Sequence, residues 1–123
     1  AVAEERAVLI QAGDAAIDLA RDGITVDLLD LRTLAPLDMD SIVASVKKTG
    51  RAVIVEEGCR TGGVSAEIGF RIFEAAHDYL DAPIRRVTTP DVPIPASPVL
   101  ERAALPDRHK ITRAIRDMVR QRS

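Results

Sequence analysis

Cysteine, aromatic residues and long apolar runs are all scarce in this chain, and each scarcity excludes something. The single cysteine, Cys59, cannot close an internal disulfide. Without a CxxC pair or a histidine cluster, no metal-ligand spacing is present either. A reducing, cytoplasmic setting is the expectation. Aromatics amount to 2%, namely Phe70, Phe73 and Tyr79, so neither base stacking nor an aromatic ligand cage has material to work with. No apolar stretch approaches the roughly 18 residues a membrane span requires. Charge of one sign is lacking too: 17 basic residues stand against 19 acidic ones. That balance argues against nucleic acid, which needs clustered Lys and Arg to displace counterions. The opening AVAEERAVLI is acidic and does not read as a signal peptide.

What is present is an aliphatic chain of 123 residues, enough for one domain with one real core. ITVDLLDL, from Ile24, is β-branched and apolar and predicts a strand. APLD then supplies a proline stop, with Asp38 as helix N-cap. A helix over about 39–48 follows, with Met39, Ile42, Val43 and Val46 on one face, Lys47 and Lys48 at its negative end, and Gly50 as its stop. RAVIVEE is nearly continuous in apolar residues, the pattern of a central strand covered on both faces. Beyond Gly63 a second helix is expected to about Tyr79, packing Val64, Ile68, Ile72, Phe73, Ala76 and Leu80 on the sheet. APIRRV, 82–87, is a further strand candidate, and the prolines of TTPDVPIPASP forbid regular structure. Asp107 caps a last helix with Ile111, Ala114, Ile115, Met118 and Val119 inward. Strands alternating with helices predict a three-layer α/β fold, a mostly parallel sheet flanked by helices.

EEGCRTGG, 56–63, joins the central strand to the following helix and is the one stretch that invites a chemical reading. A phosphate loop there would need a lysine, which is absent, and two glutamates would repel the anion. Cys59 as nucleophile would need a base, yet His77 and His109 lie elsewhere in the sequence. A small, partly buried structural thiol is expected instead. Glu56 and Glu57 are adjacent strand residues that point to opposite faces, so they form no acid–base pair. Arg32 and Glu57 fall near the carboxyl ends of strands, where open α/β sheets bind ligands, and are the ligand-proximal candidates. For Arg32 an ion pair with Asp30 or Glu56 is the plainer alternative.

DLRTLAPLD, KKTGR, RTGGVSAEI, YLDAPIRRV and DVPIP, in this order, resemble the transketolase-type C-terminal domain of beta subunits of thiamine-diphosphate-dependent 2-oxo acid dehydrogenases, most closely those acting on pyruvate. The likeness runs from Ala15 to Arg120, which sets 1–14 apart as a lead-in and 15–123 as the domain. The family places a strand and the first turns of a helix where this sequence passes from Asp14 to Ala15. The sequence therefore implies missing residues there, or a strand role for RAVLIQ with Asp14 capping a two-turn helix.

The resemblance implies an assembly and docking domain with no catalytic, cofactor-binding or metal-ligating residue of its own. Thiamine diphosphate, Mg and the catalytic histidine would belong to the rest of the parent enzyme. Implied partners are the alpha and beta subunits of a heterotetramer and the peripheral subunit-binding domain of the dihydrolipoyl acyltransferase core. Toward that basic domain the resemblance singles out the aspartate of the LDAP turn, Asp81. Acetoin or branched-chain 2-oxo acid enzymes are alternative parents, as is a transketolase or deoxyxylulose-phosphate synthase in which this domain aids substrate recognition. A free-standing interaction module is the remaining reading.

Overall fold

Apolar residues that alternate between two covered faces decide this architecture. The computed structural model describes residues 2–3, 6–30, 38–90 and 106–120. Its elements are β1 (Val2–Ala3), α1 (Arg6–Arg21), β2 (Leu29–Asp30), α2 (Met39–Thr49), β3 (Val53–Cys59), α3 (Val64–Ala76), a 3-10 turn (His77–Tyr79), β4 (Arg85–Thr89) and α4 (Arg108–Arg120). The four strands form one parallel sheet in the order β2-β1-β3-β4. Val53 and Val55 of β3 face α1 and α4, where they meet Leu19, Ile111, Ile115 and Met118. Ala52 and Ile54 face α2 and α3, against Ile42, Val46, Ile68 and Ile72. The expected three-layer α/β fold with a parallel sheet is the observed one.

Local chemistry explains the helix ends. Asp38 accepts from the Ser41 amide at 3.1 Å and from its hydroxyl at 2.8 Å, so α2 starts where its cap is. Gly50 stops α2 at φ 75°, and its amide donates to the Val46 carbonyl. Asp107 accepts from the Lys110 amide at 2.9 Å and opens α4.

Several expectations need correction. RAVLIQ is not a strand, and Asp14 caps nothing. One helix runs unbroken through Asp14 and Ala15, and the strand's place in the sheet is held by Val2–Ala3 ahead of it. Alanine-rich sequence favours extending a helix already nucleated over starting a new one. Of the strand expected from Ile24, among the described residues only Leu29 and Asp30 pair. On α3 the sheet-facing residues are Ser65, Ile68, Ile72 and Ala76, whereas Phe73 is 55% exposed and lies beside His77, ring centroids 5.5 Å apart. One residue past Ile72 is a turn of about 100°, which carries Phe73 off the buried stripe. The α-helix also ends at Ala76, short of Tyr79.

Candidate functional site

Two groups of residues warrant description, and they sit at opposite edges of the sheet. Asp81 lies in the turn between the 3-10 segment and β4, on the amino edge. Its amide donates to the Gly50 carbonyl at 2.7 Å, which ties the turn to the end of α2. Flanking residues hold it from below: Ala82 is buried and Leu80 packs against the α2–α3 core. The side chain itself is exposed and lies over Gly50, so close that a Cβ at position 50 would stand 3.0 Å from the Asp81 Cγ. Glycine is therefore required at 50 twice, for its left-handed φ and for the room it leaves. The carboxylate also sits at the carbonyl pole of α2, so dipole and charge both favour an incoming cation at this spot. Nearby, Lys47 is 5.0 Å from the centre of the Tyr79 ring, and Lys48 is paired with Asp27 at 3.1 Å.

At the carboxyl edge, the structure reveals a residue whose role the sequence did not disclose. Glu56 is 3% exposed and accepts from the Val64 amide at 3.1 Å, the Ser65 amide at 3.2 Å and the Ser65 hydroxyl at 2.6 Å. Arg86 on β4 completes the group. Its Nε donates to the Ser65 hydroxyl at 2.8 Å, an Nη reaches the Arg60 carbonyl, and the same Nη stands 4.0 Å from Glu56. Because Gly63 caps α3 without a side chain, the first amides of α3 would otherwise lack acceptors, and Glu56 supplies them. The position a phosphate would take is filled by a carboxylate. An acidic residue closing an apolar strand, ahead of a helix whose only cap is glycine, was the available signal.

Glu57 follows Glu56 on β3. It is half-buried near the point where strand order reverses between β1 and β3, and its carbonyl accepts from the Thr89 hydroxyl. The structure does not bring it together with Asp81. Arg32, the other ligand-proximal candidate, lies outside the described residues, as does most of the proline-rich stretch. Cys59 is exposed and not partly buried as expected. Between Val55 and Cys59 the β3–β4 register shifts, with four steps on β3 against two on β4, and this carries the strand tip out of cover. Among the described residues no group of three or more His, Cys, Asp or Glu could hold a metal ion, and no helix is long and apolar enough to cross a membrane.

Three comparisons set this geometry among known proteins. Residues 7–111 match the family described as "Transketolase, C-terminal domain". The chain is 46% identical over 103 residues to the pyruvate dehydrogenase E1 component subunit beta of Rickettsia bellii (strain RML369-C), covering 84% of this chain and 32% of that protein. With the same subunit of Rhizobium meliloti (strain 1021) it shares 45% identity over 102 residues, 83% of this chain and 22% of the relative. The mitochondrial one of Dictyostelium discoideum is 46% identical over 101 residues, 82% and 28%. The chain thus spans between about a fifth and a third of the length of these relatives. In structure it superimposes on a chain titled "Split gene transketolase, inactive beta4 tetramer" with a TM-score of 0.80 and 24% identity, covering 99% of this chain and 39% of that one, a likeness of fold. A parallel sheet between two helix layers and a family match over most of its length converge on one statement: the chain belongs to the transketolase C-terminal domain family.

Proposed function

We propose that this chain is the assembly and partner-docking domain of a pyruvate dehydrogenase beta subunit. Its parent would decarboxylate pyruvate oxidatively and acetylate the lipoyl group of an acyltransferase core. The alpha and beta subunits of a heterotetramer and the basic peripheral subunit-binding domain of dihydrolipoyl acyltransferase are its proposed partners. The observation that carries the docking role is the Asp81 carboxylate, exposed at the carbonyl pole of α2 on a turn fixed from beneath by the 2.7 Å bond to Gly50. A carboxylate whose backbone is already fixed pays little ordering cost when it meets Arg or Lys. The relatives' identity of 45–46% favours a pyruvate enzyme over a transketolase or synthase parent.

Thiamine diphosphate and Mg are placed in the remainder of the parent. The residues here do not suit them: α3, whose N-terminus could otherwise take a diphosphate, has its first amides filled by Glu56, and the described residues lack a carboxylate or histidine cluster for the metal. A reducing compartment, the cytoplasm, is the proposed location. An exposed Cys59, the sequence's only cysteine, is at home there.

The test is a titration of the purified acyltransferase subunit-binding domain against this chain and its Asp81→Asn variant. A charge-assisted contact contributes about 1.5–3 kcal/mol, so the variant should bind roughly 10- to 100-fold more weakly with its thermal midpoint unchanged. Equal affinity of the two proteins would remove Asp81 from the interface. No affinity in either would remove the docking role from this chain.

A further inference from the structure

α1 and α4 lie side by side on one face of the sheet, and a groove of about 690 Å³ runs between their outer surfaces. Beneath it Leu19 of α1 meets Ile111, Ile115 and Met118 of α4, so the apolar stripes of both helices are turned to the core. What faces outward is charged. Positions 113, 116 and 120 fall on one stripe of α4, and all three are arginine. Arg21, in the last turn of α1, lines the other wall. Three aspartates line the groove as well, and two are already taken: Asp22 pairs with Arg116, and Asp18 with Arg108 at 3.9 Å. Asp117 is then the carboxylate left beside Arg21, Arg113 and Arg120, none of which forms an ion pair among the described residues.

The floor of the groove holds an unsatisfied donor. Thr112 lines it, is 8% exposed, and has its hydroxyl buried without a hydrogen-bond partner among the described residues. A helical threonine can donate to the carbonyl four residues back, here that of Arg108, and Thr112 does not. A buried hydroxyl without a partner costs free energy that an acceptor oxygen entering the groove would recover. Arginine is the side chain suited to phosphoryl oxygens, because its planar fork makes two parallel bonds to them and its charge is permanent. Arg113 and Arg120 are separated by about 10 Å along the helix, so an anion that engages both carries its charge over a comparable length.

We propose that the groove between α1 and α4 binds a small oligophosphate, with Arg21, Arg113 and Arg120 on its phosphoryl oxygens and the Thr112 hydroxyl donating to one of them. Asp117 stands among these arginines, so a single contact gains little, and an anion long enough to engage several is favoured over inorganic phosphate. The site is independent of the docking role of Asp81, which lies over the end of α2.

The experiment is a calorimetric titration of inorganic tripolyphosphate into the chain, in metal-free buffer at about 0.15 M salt, with inorganic phosphate run beside it. Tripolyphosphate should bind at one site and more tightly than phosphate. Arg113→Gln and Arg120→Gln should each weaken it roughly fivefold, whereas Arg71→Gln, which removes the same charge from α3 on the opposite face of the sheet, should leave it unchanged. Thr112→Val fills the same space without the hydroxyl, so it too should weaken binding roughly fivefold while the thermal midpoint holds or rises. No binding by the unmodified chain at millimolar tripolyphosphate, equal affinity for phosphate, an equal loss in Arg71→Gln, or full affinity in Thr112→Val would each overturn the proposal.

Discussion

Replacing Glu56 with alanine removes the acceptor of two α3 amides and leaves Arg86 beside an emptied, buried space. Breaking such a group should cost about 3 kcal/mol, measured as a lower urea midpoint. Glu56→Gln should cost less, because its amide oxygen still accepts from one of the α3 amides. Equal losses in the two variants would mean that the hydrogen bonds of Glu56 do not anchor α3. Gly50→Ala acts through backbone strain and through space: φ is 75° and the new Cβ meets the Asp81 carboxylate. A loss of about 1–2 kcal/mol is expected, again by urea unfolding, and docking should weaken as well because Asp81 is displaced. The sequence announced Gly50 as a helix stop, since glycine after two lysines is a local signal. Glu56 was not legible in the same way. Its partners Ser65 and Arg86 are 9 and 30 positions away, and only the packing of α3 and β4 on β3 makes them neighbours.

At the scale of elements, α2 is held by two surface carboxylates. The hydrogen bond from Lys48, with help from Ser45, holds Asp27 below the usual aspartate range, and those from the Ser41 hydroxyl and amide do the same for Asp38. A carboxylate whose folded pKa is lowered contributes stability that is full above its unfolded value and is lost as pH falls through the folded one. The urea midpoint should therefore fall below the ordinary aspartate pKa, and part of that fall should vanish in the Asp27→Asn, Asp38→Asn double variant. An identical acid limb in the double variant would deny both residues this role. Helices with local caps, α2 and α4, were read from sequence nearly to the residue because Asp38, Gly50 and Asp107 act within one turn. Strand limits were read less well. β3 and β4 each lie about two residues later than expected, since pairing with a neighbour, not the apolar run itself, decides where a strand ends.

For the whole molecule, one edge of the sheet presents Asp81 and the other is locked by Glu56 and Arg86. The proposed docking residue and the carboxyl ends of the strands are therefore separated by the length of the sheet. If Asp81 acts as proposed, affinity for the basic partner should fall as salt rises, and the fall should be shallower in Asp81→Asn, which has one charge fewer to screen. A salt response identical in both proteins would count against it. The sequence by itself determined the class of fold, the caps of α2 and α4, the central covered strand and the aliphatic core, because each follows from spacing and chemistry within a few residues. It also carried the family motifs. Only the tertiary structure decided that Arg6–Arg21 is one helix with a strand ahead of it, that Phe73 and Cys59 face outward, and that Glu56 fills the start of α3. Those outcomes depend on which segments meet across the sheet, and segments far apart in sequence exert no mutual constraint until the layers have packed.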